Sequence, residues 1–369
     1  MESLNHNLKK GYQISAKGLF FWRIAQYAVW LIGFGILFCL VFYPAIGVLL
    51  FWNILIPVAP LLLVLAPGIW RNVCPLATTN LLPRHLNLSK RKKLTVKQHG
   101  IISLIAVILL FLIVPLRHVL FNENGIATAI LITIMAITGV IAGFFYEWKS
   151  VWCSGLCPIH PVEKLYGENV LFSVPNAHCK NCMKCVVPCP DSTPNIIPAS
   201  NTRTDNFKMS SALITGGLPG FIWGWFHVPD SNGQLTFESL GQAYYLPVLG
   251  FLFSFSIYMI LQFLLMEANS IGTKKKYNRY IAALFAASAV SCYYWYRIPS
   301  LFGYGLFRSD GVLINLYHQV NPLIFTFITL TTSVFFFYWL LVRKPNKKSW
   351  LMRPEYASKI SNKTAEAIV

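Results

Sequence analysis

Apolar runs near the roughly 20 residues that cross a bilayer as a helix recur at 20–43, 46–66, 101–121, 126–146, 244–266, 279–298 and 318–342. An eighth run, 210–228, holds Gly216, Gly217, Pro219 and Gly220, which membrane helices tolerate where neighbours re-satisfy the backbone. The first run is too long for a signal-peptide core and lacks a small-residue cleavage site, so it predicts a retained span. A polar stretch rich in Pro, Asn and Ser, 147–209, leaves four runs on either side. The pattern predicts an all-α polytopic membrane protein. Its parts are a four-span domain over 1–146 with an inner loop at 67–100, the insert at 147–209, a second four-span domain over 210–342, and a basic tail over 343–369. An insert this small buries little core and needs staples such as metal. Only short helical turns are expected in it, after Pro158 and near Cys189.

Charge supports eight spans rather than seven. With both termini inside, the inner segments 1–23, 67–100, 147–209, 267–279 and 343–369 hold 28 of the 31 Lys and Arg residues, and only Arg117, Arg297 and Arg308 fall outside. That is the bias the positive-inside rule demands of short loops. Without 210–228 as a span, Lys274, Lys275, Lys276, Arg279 and the basic tail would all lie outside. Composition agrees: 12% of residues are charged, about half the share in soluble domains. The net charge of +18 suits anionic lipid headgroups. It does not indicate nucleic acid, because the basic residues flank spans and form no single stripe. Aromatic groups such as Phe20-Phe21-Trp22 and Tyr293-Tyr294-Trp295-Tyr296 sit at span ends, where interface anchoring is their ordinary role.

Seven of the nine cysteines lie in the polar loops on one predicted face. Cys179, Cys182, Cys185 and Cys189, followed by Pro190, have the spacing C-x2-C-x2-C-x3-C-P, the bacterial ferredoxin run for a [4Fe-4S] cluster. Short loops let thiolates converge on a cubane from several directions. Zinc prefers two C-x2-C pairs set further apart, and disulfides do not suit a cytoplasmic face. The end of the run is echoed by Cys153-Ser-Gly-Leu-Cys157-Pro158 and by Cys74-Pro75, where Trp70 stands in place of a first cysteine. In two-cluster ferredoxins the fourth cysteine serves the other cluster. One assignment therefore gives the first cluster Cys179, Cys182, Cys185 and Cys157, and leaves Cys189, Cys153 and Cys74 for a second. His160, His178 or Asp191 could complete the second set; a three-thiolate cluster, or one cluster alone, are the alternatives. Cys39 and Cys292 sit inside apolar runs as small hydrophobes.

His118, His227 and His318 fall at the outer ends of predicted spans, on the side of Arg117, Arg297 and Arg308. They could ligate a b-type haem or bind a quinone head group, or rest in the interface as amphipathic rings. His85 and His99 read as solvated residues of the basic loop. Tyr146, Glu147 and Trp148 could carry an electron from membrane to cluster.

A multispan chain with Trp152-Cys153-Ser-Gly-Leu-Cys157-Pro158 followed closely by a ferredoxin run resembles the membrane polyferredoxin family over about residues 65–200. That family includes the H-type subunit of periplasmic nitrate reductase systems, the membrane regulator of nitrous oxide respiration and oxidase-maturation iron-sulfur proteins. The resemblance implies [4Fe-4S] binding and electron exchange between the quinone pool and a redox partner. Relatives usually carry two C-x3-C-P elements and two ferredoxin runs, whereas this chain has Cys74-Pro75 alone and one run. The expectation is a bacterial inner-membrane electron carrier with no substrate chemistry of its own and its iron-sulfur segment and termini cytoplasmic. Its partners would be membrane lipid and a quinone or redox protein, with no nucleic acid. A maturation factor reducing a metal or disulfide in a partner enzyme is the alternative. A transporter fits less well, for want of buried charge in the spans.

Overall fold

The computed structural model describes residues 14–90, 92, 94–146, 149–178, 204–231, 235–266, 271–343 and 350–352. It is mostly helical. In chain order the helices are α1 (Ala16–Phe42), α2 (Pro44–Leu65, with a π-helical stretch Leu49–Leu55), the short α3 (Pro67–Val73), α4 (Pro75–Asn80) and α5 (Leu82–His85), then α6 (Val96–Ile113) and α7 (Gly125–Phe145). A π-helical segment Lys149–Leu156 leads into α8 (Ile159–Tyr166). The second half holds α9 (Asp205–Phe226), α10 (Phe237–Met266), α11 (Ile271–Leu301) and α12 (Pro322–Phe337), which continues as a π-helical turn to Val342. Two residues of the insert, Val174–Pro175 (β1), pair in parallel with Leu351–Met352 (β2).

Local chemistry sets the boundaries. Ser15, Asn124, Thr204 and Asn321 cap the starts of α1, α7, α9 and α12 with side-chain acceptors, and Thr95 with Gln98 forms a full capping box at α6, satisfying amides that have no intrahelical partner. Pro44, Pro67 and Pro75 each open a helix directly after another ends, a position proline tolerates because its missing N–H is not needed there.

Among the described residues, six helical stretches are long and apolar enough to cross a membrane: Ala16–Phe42, Pro44–Leu65, Val96–Ile113, Gly125–Phe145, Phe237–Leu265 and Pro322–Val342. The other two expected runs, 210–228 and 279–298, fall in α9 and α11, helices of 22 and 31 residues whose apolar character is lower. The reason is their place in the bundle. Helix α9 buries Ser210, Ser211, Thr215, Gly216 and Gly217, and Gly220 and Gly250 bring its backbone and that of α10 into direct contact. Small residues permit such approach, and lipid-embedded helices associate through close packing of this kind. The Ser254 hydroxyl accepts from Gly220 N and donates to Gly217 O across the same seam, both at 3.2 Å. On α11 the buried stripe is alanine-rich, with Ala282, Ala283, Ala286, Ala287 and Ala289.

The central core joins both halves. Leu63 and Val64 from α2, Val107 from α6, Ile214 and Leu218 from α9, Val290 from α11 and Phe336 from α12 meet in one cluster. The Tyr294 hydroxyl accepts from Leu61 N (2.9 Å) and donates to Pro57 O (2.7 Å), the two groups that an α-helical hydrogen bond would otherwise join, and so pins α11 to α2.

The insert departs from expectation in one respect. The helical turn after Pro158 is present as α8, but it is not peripheral: Leu165 and Tyr166 belong to the central cluster, and Trp152 and Val170 are buried. The first half of the insert is a plug in one end of the bundle. That end also carries α3 to α5 and residues 350–352, and we term it the cysteine end. The opposite, arginine end is closed by 115–124, 227–231 and 302–321, which interlock through Ser231 N to His118 O (2.8 Å), Asp230 N to Asp310 Oδ2 (2.8 Å) and Asn53 Nδ2 to Val312 O (3.2 Å).

A valine at Gly220 would collide with the Gly250 backbone, and overpacking of this kind costs roughly 1–3 kcal/mol. Gly220→Val should therefore lower the thermal unfolding midpoint of the detergent-solubilised protein clearly. Gly35→Ala, where an added methyl meets nothing within 4 Å, should leave that midpoint unchanged or slightly raised.

Candidate iron-sulfur site at the cysteine end

Cys74 ends α3 and precedes α4 with φ −53° and ψ 122°. The proline after it forces that extended backbone, so the chain kinks at the thiol. Cys157-Pro158 repeats the arrangement where the π-helical segment gives way to α8. Cys74 and Cys153 pack on Ala77 and Leu81. Cys157 lies close enough to both to feel their charge. Burial, and then the charge of Cys153, pushes the Cys74 thiol up to about 12. Burial followed by Cys153 and Cys74 pushes Cys157 up as well. Cys74 and Cys157 resist ionising without a counter-charge, which a bound metal would supply, because its charge makes thiolate favourable. Among the described residues no three His, Cys, Asp or Glu side chains stand close enough to hold a single ion. A cubane presents its irons at separate corners, and its ligands are spread accordingly.

Cys179, Cys182, Cys185, Cys189 and Asp191 lie outside the described residues, as do Glu147 and Trp148. The chain leading to the run is described, and it is held firmly. Asn72, fully buried, donates from Nδ2 to Pro175 O (2.8 Å) and accepts at Oδ1 from Ala177 N (3.1 Å). The Asn72 carbonyl meets His178 Nε2 at 3.2 Å and Gln26 Nε2 at 2.9 Å. Residue 178 is thereby fastened two positions from Cys74, and Cys179 follows directly.

Between the cysteine loops lies a buried charge pair that sequence reasoning did not single out. Arg71 donates from Nε to Glu163 Oε1 (2.7 Å) and from Nη2 to Glu163 Oε2 (2.6 Å), and its Nη2 lies 2.8 Å from His160 Nδ1. Burial works against the Glu163 carboxylate. The charge of Arg71 and its two hydrogen bonds outweigh it and hold the pKa down to about 2. Burial lowers His160 to about 3 despite Glu163, so the ring is neutral at physiological pH and accepts at Nδ1 from Arg71. Trp350 covers the pair: its indole donates to Gly167 O (2.6 Å), with Arg71 Cζ 5.0 Å and Lys164 Nζ 4.4 Å from the ring centre. One signal pointed here. Glu163 is one of only 13 acidic residues in the chain and follows Cys157-Pro158 by little more than a helical turn. His99, expected to be solvated, meets Ser154 O at 2.6 Å and stacks edgewise on Phe207, tying α6 to the insert.

The three outer histidines share no partner. His118 places Nδ1 2.7 Å from Asp230 Oδ1 and Nε2 3.0 Å from Trp225 O, so both ring nitrogens face protein acceptors. His227 bonds through Nδ1 to Trp223 O (2.7 Å) and packs on Tyr296. His318 has φ +70° and lies against Tyr317. Cys39 and Cys292 are free thiols away from the cysteine end.

Between the two ends runs an apolar cavity of about 260 Å³. Trp152, Cys157 and Tyr166 line it toward the cysteine end, and Trp52, Arg117, Trp225 and Tyr293 toward the arginine end.

The Arg71–Glu163–His160 cluster fixes a pH response. His160 is protonated more readily in the unfolded chain (pKa about 6.5) than in the folded one. Stability contributed by the neutral ring is full above that pH and is lost as pH falls toward 3. The melting temperature should drop on acidification through this window, by the equivalent of a few kcal/mol, and His160→Gln should flatten the profile. Glu163→Gln would leave the Arg71 charge buried and unpaired, a loss of about 3–5 kcal/mol seen as reduced folded yield or a lower midpoint at pH 7.

Searches against protein-family models, curated proteins and solved structures gave no match to this chain.

Proposed function

We propose that the chain is an integral membrane electron-transfer protein of the bacterial inner membrane. It would carry [4Fe-4S] clusters at its cysteine end and pass single electrons between the quinone pool or a cytoplasmic donor and a respiratory redox partner. One observation carries the reading: Asn72 fastens Pro175, Ala177 and His178 two positions from Cys74, so the chain enters the C-x2-C-x2-C-x3-C-P run, itself outside the described residues, from beside the segments that carry Cys74, Cys153 and Cys157. In this reading Cys179, Cys182, Cys185 and Cys157 hold the first cluster, and Cys189, Cys153 and Cys74 hold a second. Bound there, iron-sulfur clusters supply one-electron chemistry. The protein's part is to bring thiols from distant loops together, exclude water with Trp152 and Trp350, and place the Arg71 charge near Cys153 and Cys157.

Eight spans complete the proposal. Helix α9 has a length of about 33 Å at 1.5 Å per residue, and α11 is longer; both pack within the six apolar helices. The cysteine end then faces the cytoplasm with both termini, as the distribution of Lys and Arg requires.

The test is anaerobic purification with counting of iron and inorganic sulfide, together with EPR of the reduced protein. A [4Fe-4S] signal is expected. Cys182→Ser should abolish the first cluster, and Cys74→Ser should remove only the second, about half the iron. Zinc in place of iron, or labelling of residues 179–189 from the outer face, would end the proposal.

A further inference from the structure

The arginine end contains an excess of buried donors. Arg117 and Arg297 are both buried, and their guanidinium groups face one small cavity of about 40 Å³. Among the described residues neither is paired with a carboxylate. Asp230, which lines the same cavity, is taken by His118 (2.7 Å) and by Asn122 (2.9 and 3.0 Å). Asp310 accepts from Asp230 N and Ser309 Oγ. Arg297 gives Nη2 to Trp52 O and Asn53 Oδ1 (2.9 and 2.7 Å), but its buried Nε has no acceptor. Arg117 reaches Asn122 Oδ1 at 3.2 Å, and its guanidinium lies over Trp52 and Trp225, 4.2 and 4.8 Å from the ring centres. The Tyr293 hydroxyl is also buried without a partner. Native proteins rarely leave such groups unpaired, and Arg297 Nε and the Tyr293 hydroxyl both lack an acceptor oxygen.

Arg117 and Trp225 line both this polar cavity and the large apolar one, and Tyr293 lines the apolar cavity. The apolar cavity approaches the lower size limit of small-molecule sites, about 300 Å³. It runs along α2 at least from Trp52 to Leu63, eleven residues or about 16 Å. Its other end is walled by Cys157.

We propose that Arg117 and Tyr293 hold the carbonyl head of a lipid-soluble ring molecule of the quinone class, whose apolar body fills the cavity toward Cys157. The geometry selects the chemistry at both ends. The head must accept hydrogen bonds, because the groups facing it are donors. The body must be apolar, because the remaining walls are Leu, Ile, Phe and Trp side chains. The Trp52, Phe51 and Trp225 rings beside the head favour a flat ring over a simple chain. This inference rests on the electron-transfer reading for its redox sense and assigns residues to it. A long-chain carboxylate shares part of the chemistry, having an acceptor head and an apolar body.

The probe is decyl-ubiquinone, titrated into the detergent-solubilised full chain while tryptophan emission is followed; Trp52 and Trp225 report on the head position. Saturable quenching is expected, weakened tenfold or more by Tyr293→Phe, which removes one donor without changing the packing. Leu218→Phe, which fills part of the cavity, should also weaken binding. Non-saturable quenching, or equal affinity in Tyr293→Phe, would overturn the proposal. So would displacement of the probe by palmitate at lower concentration, which would make the site one for a lipid carboxylate. The titration needs no iron. A chain that lacks iron but binds the quinone would therefore refute the cluster reading alone, and one that holds iron but binds no quinone would refute this inference alone.

Discussion

The paired charges of Arg71 and Glu163 hold the cysteine end together. Their side chains come from loops 92 positions apart and are almost fully buried. Each sits close in sequence to a Cys-Pro kink, Arg71 three residues before Cys74 and Glu163 six residues after Cys157. Fixing the guanidinium to the carboxylate through two parallel hydrogen bonds therefore fixes the two kinks relative to each other. A buried pair of this kind contributes little net stability against an apolar substitute, but breaking it is costly, so it enforces one arrangement of the loops over the alternatives. Asn72 then extends that arrangement to residues 175–178, and Trp350 closes it from the far end of the chain.

The hydrophobic pattern revealed the bundle well because six spans meet lipid on much of their surface and must be apolar nearly all round. The run in α11 was legible from hydropathy and that in α9 from charge distribution, and both are helices of lower apolar character than the other six. Their inward faces are Gly, Ser, Thr and Ala, chosen for close approach rather than for transfer into lipid. The insert misled for the opposite reason. Its prolines and polar residues suggested a peripheral loop, yet Trp152, Leu165 and Tyr166 carry enough apolar surface to plug the bundle. Composition averaged over 60 residues hides a buried half.

At the candidate site, cysteine spacing singled out three segments; the structure sets Cys74, Cys153 and Cys157 near one another, while the ferredoxin run lies outside the described residues. Arg71 and Asn72 were not legible, and His160, expected as a candidate cluster ligand, instead meets Arg71 through Nδ1. Near a membrane an arginine reads as an inner-face charge, and no local pattern marks an asparagine that will bond to the backbone of a segment 103 residues away. The outer histidines illustrate the converse. Similar depth on neighbouring helices suggested convergence, but depth fixes only one coordinate. The direction of each ring is set by its nearest acceptor, which is Asp230 for His118 and Trp223 O for His227.

The two ends of the molecule differ in electrostatic completeness. At the cysteine end Arg71 has its carboxylate, and thiols wait in a desolvated pocket for positive charge. At the arginine end Arg297 Nε and the Tyr293 hydroxyl are buried without an acceptor, with Arg117 lining the cavities beside them. A buried donor without an acceptor is expensive, whereas a buried neutral thiol packs as a small hydrophobe and turns ligand only where a metal supplies charge. The two ends thus differ in the chemistry they would accept, and an apolar cavity lies between them. A metal centre at one end and an oxygen-bearing lipophile at the other would meet those two chemistries, and the cavity wall formed by Cys157 and Arg117 would lie between them.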